Sequence, residues 1–197
     1  MTTMTRTENV ARELKPKGFT IWMTGLPGAG KSTLANLLKQ KYENEYNRFV
    51  EVLDGDEVRK GLSKDLGLSK EDREEHARRV SYLAKVLSRN GVVSIVALIS
   101  PYRKSRESAR DVIGADRFVE VYIKASLVAC EKRDPKGLYA KARRGEIANM
   151  TGLQDPYEEP LQPDIVVDTE SSPPTECVEL LTQQLIDKGL LRHVEIR

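Results

Sequence analysis

With 197 residues, of which 39% are hydrophobic and 31% charged, the chain is long enough to bury one core and is read as a single domain. Its 32 Lys and Arg stand against 30 Asp and Glu, and a formal charge of +2 excludes a global electrostatic pull toward nucleic acid or acidic lipid. Two isolated cysteines, Cys130 and Cys177, suit a reducing cytosol, and no signal-peptide core or uncharged bilayer-length stretch is present, so a cytoplasmic protein with no nucleic-acid and no membrane partner is expected.

Residues 1–17 read as a polar N-terminal extension, followed by one domain over 18–197. In chain order, FTIWMT (Phe19–Thr24), FVEVLD (Phe49–Asp54), VVSIVALIS (Val92–Ser100), FVEVYIK (Phe118–Lys124) and DIVVDT (Asp164–Thr169) are β-branched or apolar runs and predict five strands. Helical spacing fills the gaps: Leu34, Leu37 and Leu38; Val80, Leu83, Ala84 and Leu87; a charged segment from Arg106 to Val112; and Thr175 to Leu190 after the break SSPP. Strand and helix alternate, and the third run is apolar on nearly every residue, as a central parallel strand covered on both faces requires. The expected fold class is α/β, a five-stranded parallel sheet with helices on both faces. In such sheets ligands bind beyond the carboxyl ends of the strands, where GLPGAGKST, DGD and SPYR all fall.

Gly25, Gly30, Lys31 and Ser32 match G-x-x-x-x-G-K-[ST], the phosphate loop (P-loop), between a strand and a helix. Its backbone N–H groups enclose β- and γ-phosphate oxygens at the positive end of a helix. The nucleotide contacts are therefore expected from Gly25, Leu26, Pro27, Gly28, Ala29, Gly30, Lys31, Ser32 and Thr33. Lys31 bridges the phosphates in this reading and Ser32 binds Mg²⁺ through its hydroxyl. No guanine-reading NKxD follows a later strand, which argues against a GTPase; DVIG at Asp111–Gly114 sits in a helical segment and is read as chance.

In LDGDEVRKGL, Gly55 turns the chain so that Asp54 and Asp56 both face the phosphate cleft. Asp54 is assigned to Mg²⁺, through water, and Asp56 to orienting or deprotonating an acceptor hydroxyl. KRDPKGLYAKARR, from Lys132 to Arg144, has six basic residues and one acidic residue around the breakers Asp134-Pro135 and Gly137. A charge run is more often a solvated helix face, but beside a phosphate loop it predicts a hinged basic lid, about 132–160, that excludes water from the transfer.

GLPGAGKST, LDGDEVRKGL, KEDREEHARR, ISPYR, RDPKGLYAKARRGEI and DPYEEP, in this order over residues 18–170, resemble the adenylylsulfate (APS) kinases. The resemblance implies a P-loop kinase, usually dimeric and Mg²⁺-dependent, that moves the ATP γ-phosphate to the 3′-hydroxyl of APS to give PAPS and ADP in sulfate assimilation. Association with an ATP sulfurylase stands open. Carried over by position, Asp56, Arg59, Arg73, His76, Ile99, Ser100 and Lys136 fall where the family holds APS, and Arg133 at a lid position that touches ATP. Some members are described with a phosphoserine at the position of Ser100; a hydroxyl that hydrogen-bonds substrate during direct in-line transfer accounts for it without a covalent step.

The sequence departs from the family pattern around the base. Leu68 and Met150 stand where two phenylalanines usually sandwich the adenine, which predicts a weaker grip through apolar faces. His76 replaces the usual asparagine, keeping one hydrogen bond but adding a titratable group on a charged helix, and Pro27 removes a loop N–H while stiffening the turn. The alternatives are a kinase of the same family acting on another nucleotide, such as a cytidine diphosphate derivative, a nucleoside monophosphate or small-metabolite kinase, and a noncatalytic nucleotide-binding subunit. Asp56, Arg59, Arg73 and Lys136 argue against the last, which has no need of an acceptor pocket.

Overall fold

The computed structural model describes residues 17–192, so all but the last residue of the N-terminal extension lies outside the described residues. Each expected strand forms: β1 (Thr20–Thr24), β2 (Val50–Asp54), β3 (Val93–Ala97), β4 (Phe118–Lys124) and β5 (Ile165–Asp168). They make one parallel sheet in the order β2-β3-β1-β4-β5. The middle place belongs to β1, not to the third run as its apolar continuity suggested. β3 is nevertheless buried at every residue, because β2 and β1 flank it and helices cover both its faces. It also stops at Ala97, short of Ser100, whose φ of 43° turns the backbone out of the sheet.

Among the described residues seven α-helices accompany the strands: α1 (Lys31–Tyr46), α2 (Gly55–Lys60), α3 (Lys70–Arg89), α4 (Arg103–Ile113), α5 (Leu127–Arg133) and α6 (Leu138–Arg143) between them, and α7 (Pro174–Asp187) after β5. The period-two alternation of the strands sorts side chains to two cores. Ile21, Met23, Ile95, Val121 and Ile123 pack with Leu34 and Leu38 of α1 and with Leu181 and Leu185 of α7. On the opposite face Trp22, Val96 and Phe118 meet Val80 and Ala84 of α3 and Ala109 of α4. Leu38 is wholly enclosed, and truncating such a residue to alanine costs about 2–5 kcal/mol.

Local signals start the helices that carry the site. Ser69 accepts a hydrogen bond from the Asp72 N–H at 3.1 Å and caps α3, the helix of Arg73 and His76. Asp54 caps α2 by accepting from the Asp56 N–H at 3.0 Å. The chain leaves β1 for β2 and β3 on one side and passes back to β4 and β5 on the other, which opens a crevice at the carboxyl end of β1.

Candidate active site

The phosphate loop fills that crevice. A Cβ on Gly25 would come within 2.4 Å of the Ile123 carbonyl oxygen, so only glycine lets the loop leave β1 this close to β4. Gly30, at φ 100°, takes the left-handed conformation from which α1 starts. The loop's carbonyls are held from outside. The Lys31 ammonium donates to the carbonyls of Gly25 (2.8 Å) and Leu26 (2.7 Å), the Tyr139 hydroxyl to that of Pro27 (3.0 Å), and the Thr169 hydroxyl to that of Ala29 (2.8 Å). The first-turn amides of α1 have no intrahelical partner and carry the positive end of its dipole. Burial is the main reason that the Lys31 ammonium titrates low, at about 8, against the attraction of Cys130 and Asp54.

Pro27, Gly28, Gly30, Lys31, Ser32 and Thr33 line a cavity of about 870 Å³, whereas Gly25, Leu26 and Ala29, expected with them, do not line it. Across it, Ser32 Oγ donates to Asp54 Oδ2 at 2.6 Å. No cluster of three or more His, Cys, Asp or Glu that could hold a metal occurs among the described residues. A hydroxyl and a carboxylate side by side are the sparse, hard-oxygen donor set that Mg²⁺ takes when phosphates and water complete its shell.

All nine residues expected on the acceptor side reach the same cavity: Asp56, Arg59, Leu68, Arg73 and His76 from one wall, and Ile99, Ser100, Lys136 and Met150 from the others. Arg59 and Arg73 also clasp the loop between α2 and α3. Arg59 Nη1 donates to the Gly67 carbonyl (2.9 Å), Arg73 Nε to that of Leu68 (2.9 Å), and Arg73 Nη2 reaches the lid at the Asn149 carbonyl (2.8 Å). Burial and the neighbouring Arg73 draw the Arg59 guanidinium below its usual range. Leu68 is 44% exposed, whereas Met150 is 6% exposed.

His76 does not make the hydrogen bond expected of it, nor is it the readily charged group that its helix suggested. It is buried, with neither ring nitrogen hydrogen-bonded, and burial followed by the charges of Arg59 and Arg79 pushes its pKa down to about 4. It therefore faces the cavity as a neutral imidazole at neutral pH. Thr151, also buried, has an unpartnered hydroxyl on the same cavity.

Ser100 is buried at a positive φ, a backbone conformation that costs a non-glycine residue about 1–3 kcal/mol. Its Oγ accepts from the Trp22 indole N–H at 3.1 Å, leaving its own hydrogen to donate elsewhere.

The basic segment divides. Of its six cations only Arg133 and Lys136 line the cavity. Arg143 pairs with Glu131 and Arg144 with Glu146 on the outer surface, the solvated arrangement usual for a charge run. Arg133 Nη2 donates to the Thr169 carbonyl at 2.6 Å, which fastens the end of α5 to the turn after β5. Lys136 crosses to the Asp56 carboxylate. Thr169, Tyr139 and Trp22 were not expected here. Each sits in or beside a motif that was legible, but their partners are distant in sequence.

A family model, adenylylsulphate kinase, matches residues 17–168. The chain is 48% identical over 179 residues to an adenylyl-sulfate kinase of Halothermothrix orenii, covering 91% of this chain and 95% of the relative. It is 54% identical over 175 residues to a probable adenylyl-sulfate kinase of Pyrococcus abyssi, covering 89% and 99%. The structure of the Mycobacterium tuberculosis APS kinase CysC in complex with AMPPNP and APS superposes with a TM-score of 0.81 at 43% identity, over 87% of this chain and 99% of that one. At such identities over nearly whole chains, the chain belongs to the adenylylsulphate kinase family.

Proposed function

We infer that this protein transfers the γ-phosphoryl group of ATP to the 3′-hydroxyl of APS, giving PAPS and ADP. The observation that carries the reading is that one cavity joins a phosphate loop to an acidic and basic acceptor wall, in a chain 43% identical to a kinase solved with AMPPNP and APS. The main-chain amides of Gly28, Gly30, Lys31, Ser32 and Thr33 and the Lys31 ammonium hold the donor's β- and γ-phosphates. Asp56 lies exposed at the opposite wall, where its carboxylate aims the acceptor hydroxyl and takes up its proton. Arg59, Arg73 and Lys136 meet the acceptor's phosphate and sulfate, and Arg133 approaches the donor from the lid. Ser32 and Asp54 fit Mg²⁺, which when bound neutralises charge on the phosphate oxygens. The Ser100 hydroxyl, already accepting from Trp22, is set to donate to substrate, and direct in-line transfer needs no nucleophile from it.

Residues 132–160 act as the lid of a single domain over 18–197, closing on Asp56 through Lys136 and excluding water. No helix among the described residues is long and apolar enough to cross a membrane, and the reading places the enzyme in the cytoplasm. It includes a homodimer, measurable by light scattering, and leaves association with an ATP sulfurylase to a pull-down against that enzyme. ADP release from ATP and Mg²⁺ is to be compared with APS, CMP, AMP, gluconate and no acceptor. APS is expected to give the highest rate; a rate no better than the blank, with turnover on another acceptor, overturns the substrate.

A further inference from the structure

Residues 155–160, the last stretch of the lid segment before β5, run against the turn that presents Ile99 and Ser100 to the cavity. The Arg106 side chain is 2% exposed and reaches three elements at once. Its Nη1 donates to the Ser100 carbonyl at 2.6 Å, its Nη2 to the Glu158 carbonyl at 2.7 Å, and its Nε to Glu120 Oε1 on β4 at 2.7 Å. A second tie runs parallel: Thr24 Oγ1 donates to the Ile99 carbonyl at 2.7 Å and lies 2.9 Å from the Tyr157 hydroxyl, whose ring stacks on Tyr122. Glu158 completes the seam, its N–H donating to the Pro101 carbonyl at 2.8 Å and its carboxylate accepting from the Arg103 N–H at 2.9 Å.

The local conformation gives this network a task. Ser100 sits at φ 43°, a conformation that costs a non-glycine residue strain, and in it the side chain meets Trp22 while Ile99 and Ser100 wall the acceptor side. A buried guanidinium with all three faces engaged is a rigid fork, unlike a lysine, and it acts on the carbonyl of the strained residue itself. On the donor side the Gly25 N–H also reaches the Ile99 carbonyl, at 3.5 Å, whereas the bonds of Lys31 and Ser32, which line the donor part of the cavity, go to the loop's own carbonyls and to Asp54 and not to this network.

We propose that Arg106 and Tyr157 are positioning residues that lock the Ile99–Ser100 turn to the 155–160 strap and thereby set the affinity for the acceptor without setting that for ATP. The inference rests on the kinase reading above. Neither residue lines the cavity; both act through the turn's carbonyls, Tyr157 by way of Thr24.

The test is steady-state kinetics of Arg106→Lys and Tyr157→Phe beside the parent protein, with melting temperatures measured on the same preparations. Lysine keeps the charge but loses the fork, and the acceptor KM is expected to rise about tenfold, as loss of a charge-assisted hydrogen bond implies, with the ATP KM within about twofold of the parent. Tyr157→Phe removes one hydroxyl and should raise the acceptor KM about threefold in a protein that melts within a few degrees of the parent. An unchanged acceptor KM in folded Arg106→Lys, or equal rises in both KM values, overturns the proposal. Should Arg106→Lys not fold, Tyr157→Phe decides on the same terms. Should the parent not phosphorylate APS, the kinase reading fails by itself, and amide exchange at Ile99, Ser100 and Tyr102 decides the lock: faster exchange in the variants supports it and unchanged exchange overturns it.

Discussion

Lys136, carried on the lid, rests its ammonium on the carboxylate of Asp56, which follows the turn after β2. Both side chains are more than half exposed, and a solvated pair of this kind contributes little to stability. Its consequence is geometric. The contact joins lid to floor at the place assigned to the acceptor hydroxyl; in the proposed function Asp56 would exchange Lys136 for that hydroxyl and Lys136 would move to the acceptor's negative charge. Asp56→Asn keeps the shape but removes the proton acceptor and should lower kcat about a hundredfold or more, with the melting temperature unchanged. Lys136→Ala should raise the APS KM about tenfold and the ATP KM much less. Wild-type kcat in Asp56→Asn would remove the assigned role.

Lys31 is held by two loop carbonyls and buried among the phosphate-loop backbone, which brings its pKa down to about 8. A triphosphate adds negative charge beside it and restores the ammonium. ATP binding at pH 8–9 is therefore expected to take up a fraction of a proton, seen as a buffer-dependent heat in calorimetry, and the uptake should vanish near pH 6.5. Lys31→Ala should lower kcat by about a thousandfold in a protein that remains folded, since the ammonium meets charge that develops on transfer. Buffer-independent heats at pH 8–9 would show that Lys31 is already charged in the free enzyme.

How much of this was legible depended on how local the signal was. The five strands, the glycine loop and the DGD turn are written in consecutive residues, and the structure places them where the sequence does. The central position of β1 was not readable, because β3 has the same continuous apolar run and only the pairing of β3 with the edge strand β2 separates them. His76 lies on a helix rich in charge, yet it is buried with its Nε2 facing Gly55, where an added Cβ would lie 4.0 Å away, a neighbour not visible from α3 itself. Arg106 was read merely as the start of a charged helical segment. Its partners lie at Ser100, Glu120 and Glu158, and no periodicity announces a side chain that joins three elements.

Leu68 and Met150 bound the acceptor side without an aromatic ring, but they are not equivalent. Leu68 is 44% exposed and has room to grow, whereas Met150 is enclosed at 6% and contacts the main core. Leu68→Phe should lower the APS KM about tenfold, since stacking a base on a ring is worth about 1–3 kcal/mol, and leave the ATP KM nearly unchanged. Adding Met150→Phe should lower it further only at a cost in melting temperature, because a buried methionine yields a narrower space than a benzyl group needs. An APS KM unmoved by both changes would show that the base does not lie between these positions.

His76 makes the fold sensitive to acid. Its folded pKa, about 4, is below the ordinary 6.5, because burial and the facing charges of Arg59 and Arg79 outweigh the attraction of Asp56. Between pH 6.5 and 4 the unfolded chain therefore binds a proton that the folded chain refuses, and the slope of stability against pH is positive over that window. Stability is complete above about pH 6.5 and falls as the pH drops toward 4, by at most about 3 kcal/mol from this group. His76→Asn replaces the imidazole with a group that does not titrate. Denaturant unfolding at pH 7 and pH 4.5 should show the loss on acidification reduced in the variant by about 2 kcal/mol, while the carboxylates contribute equally to both proteins. An identical loss in the two proteins would place the His76 ring in water.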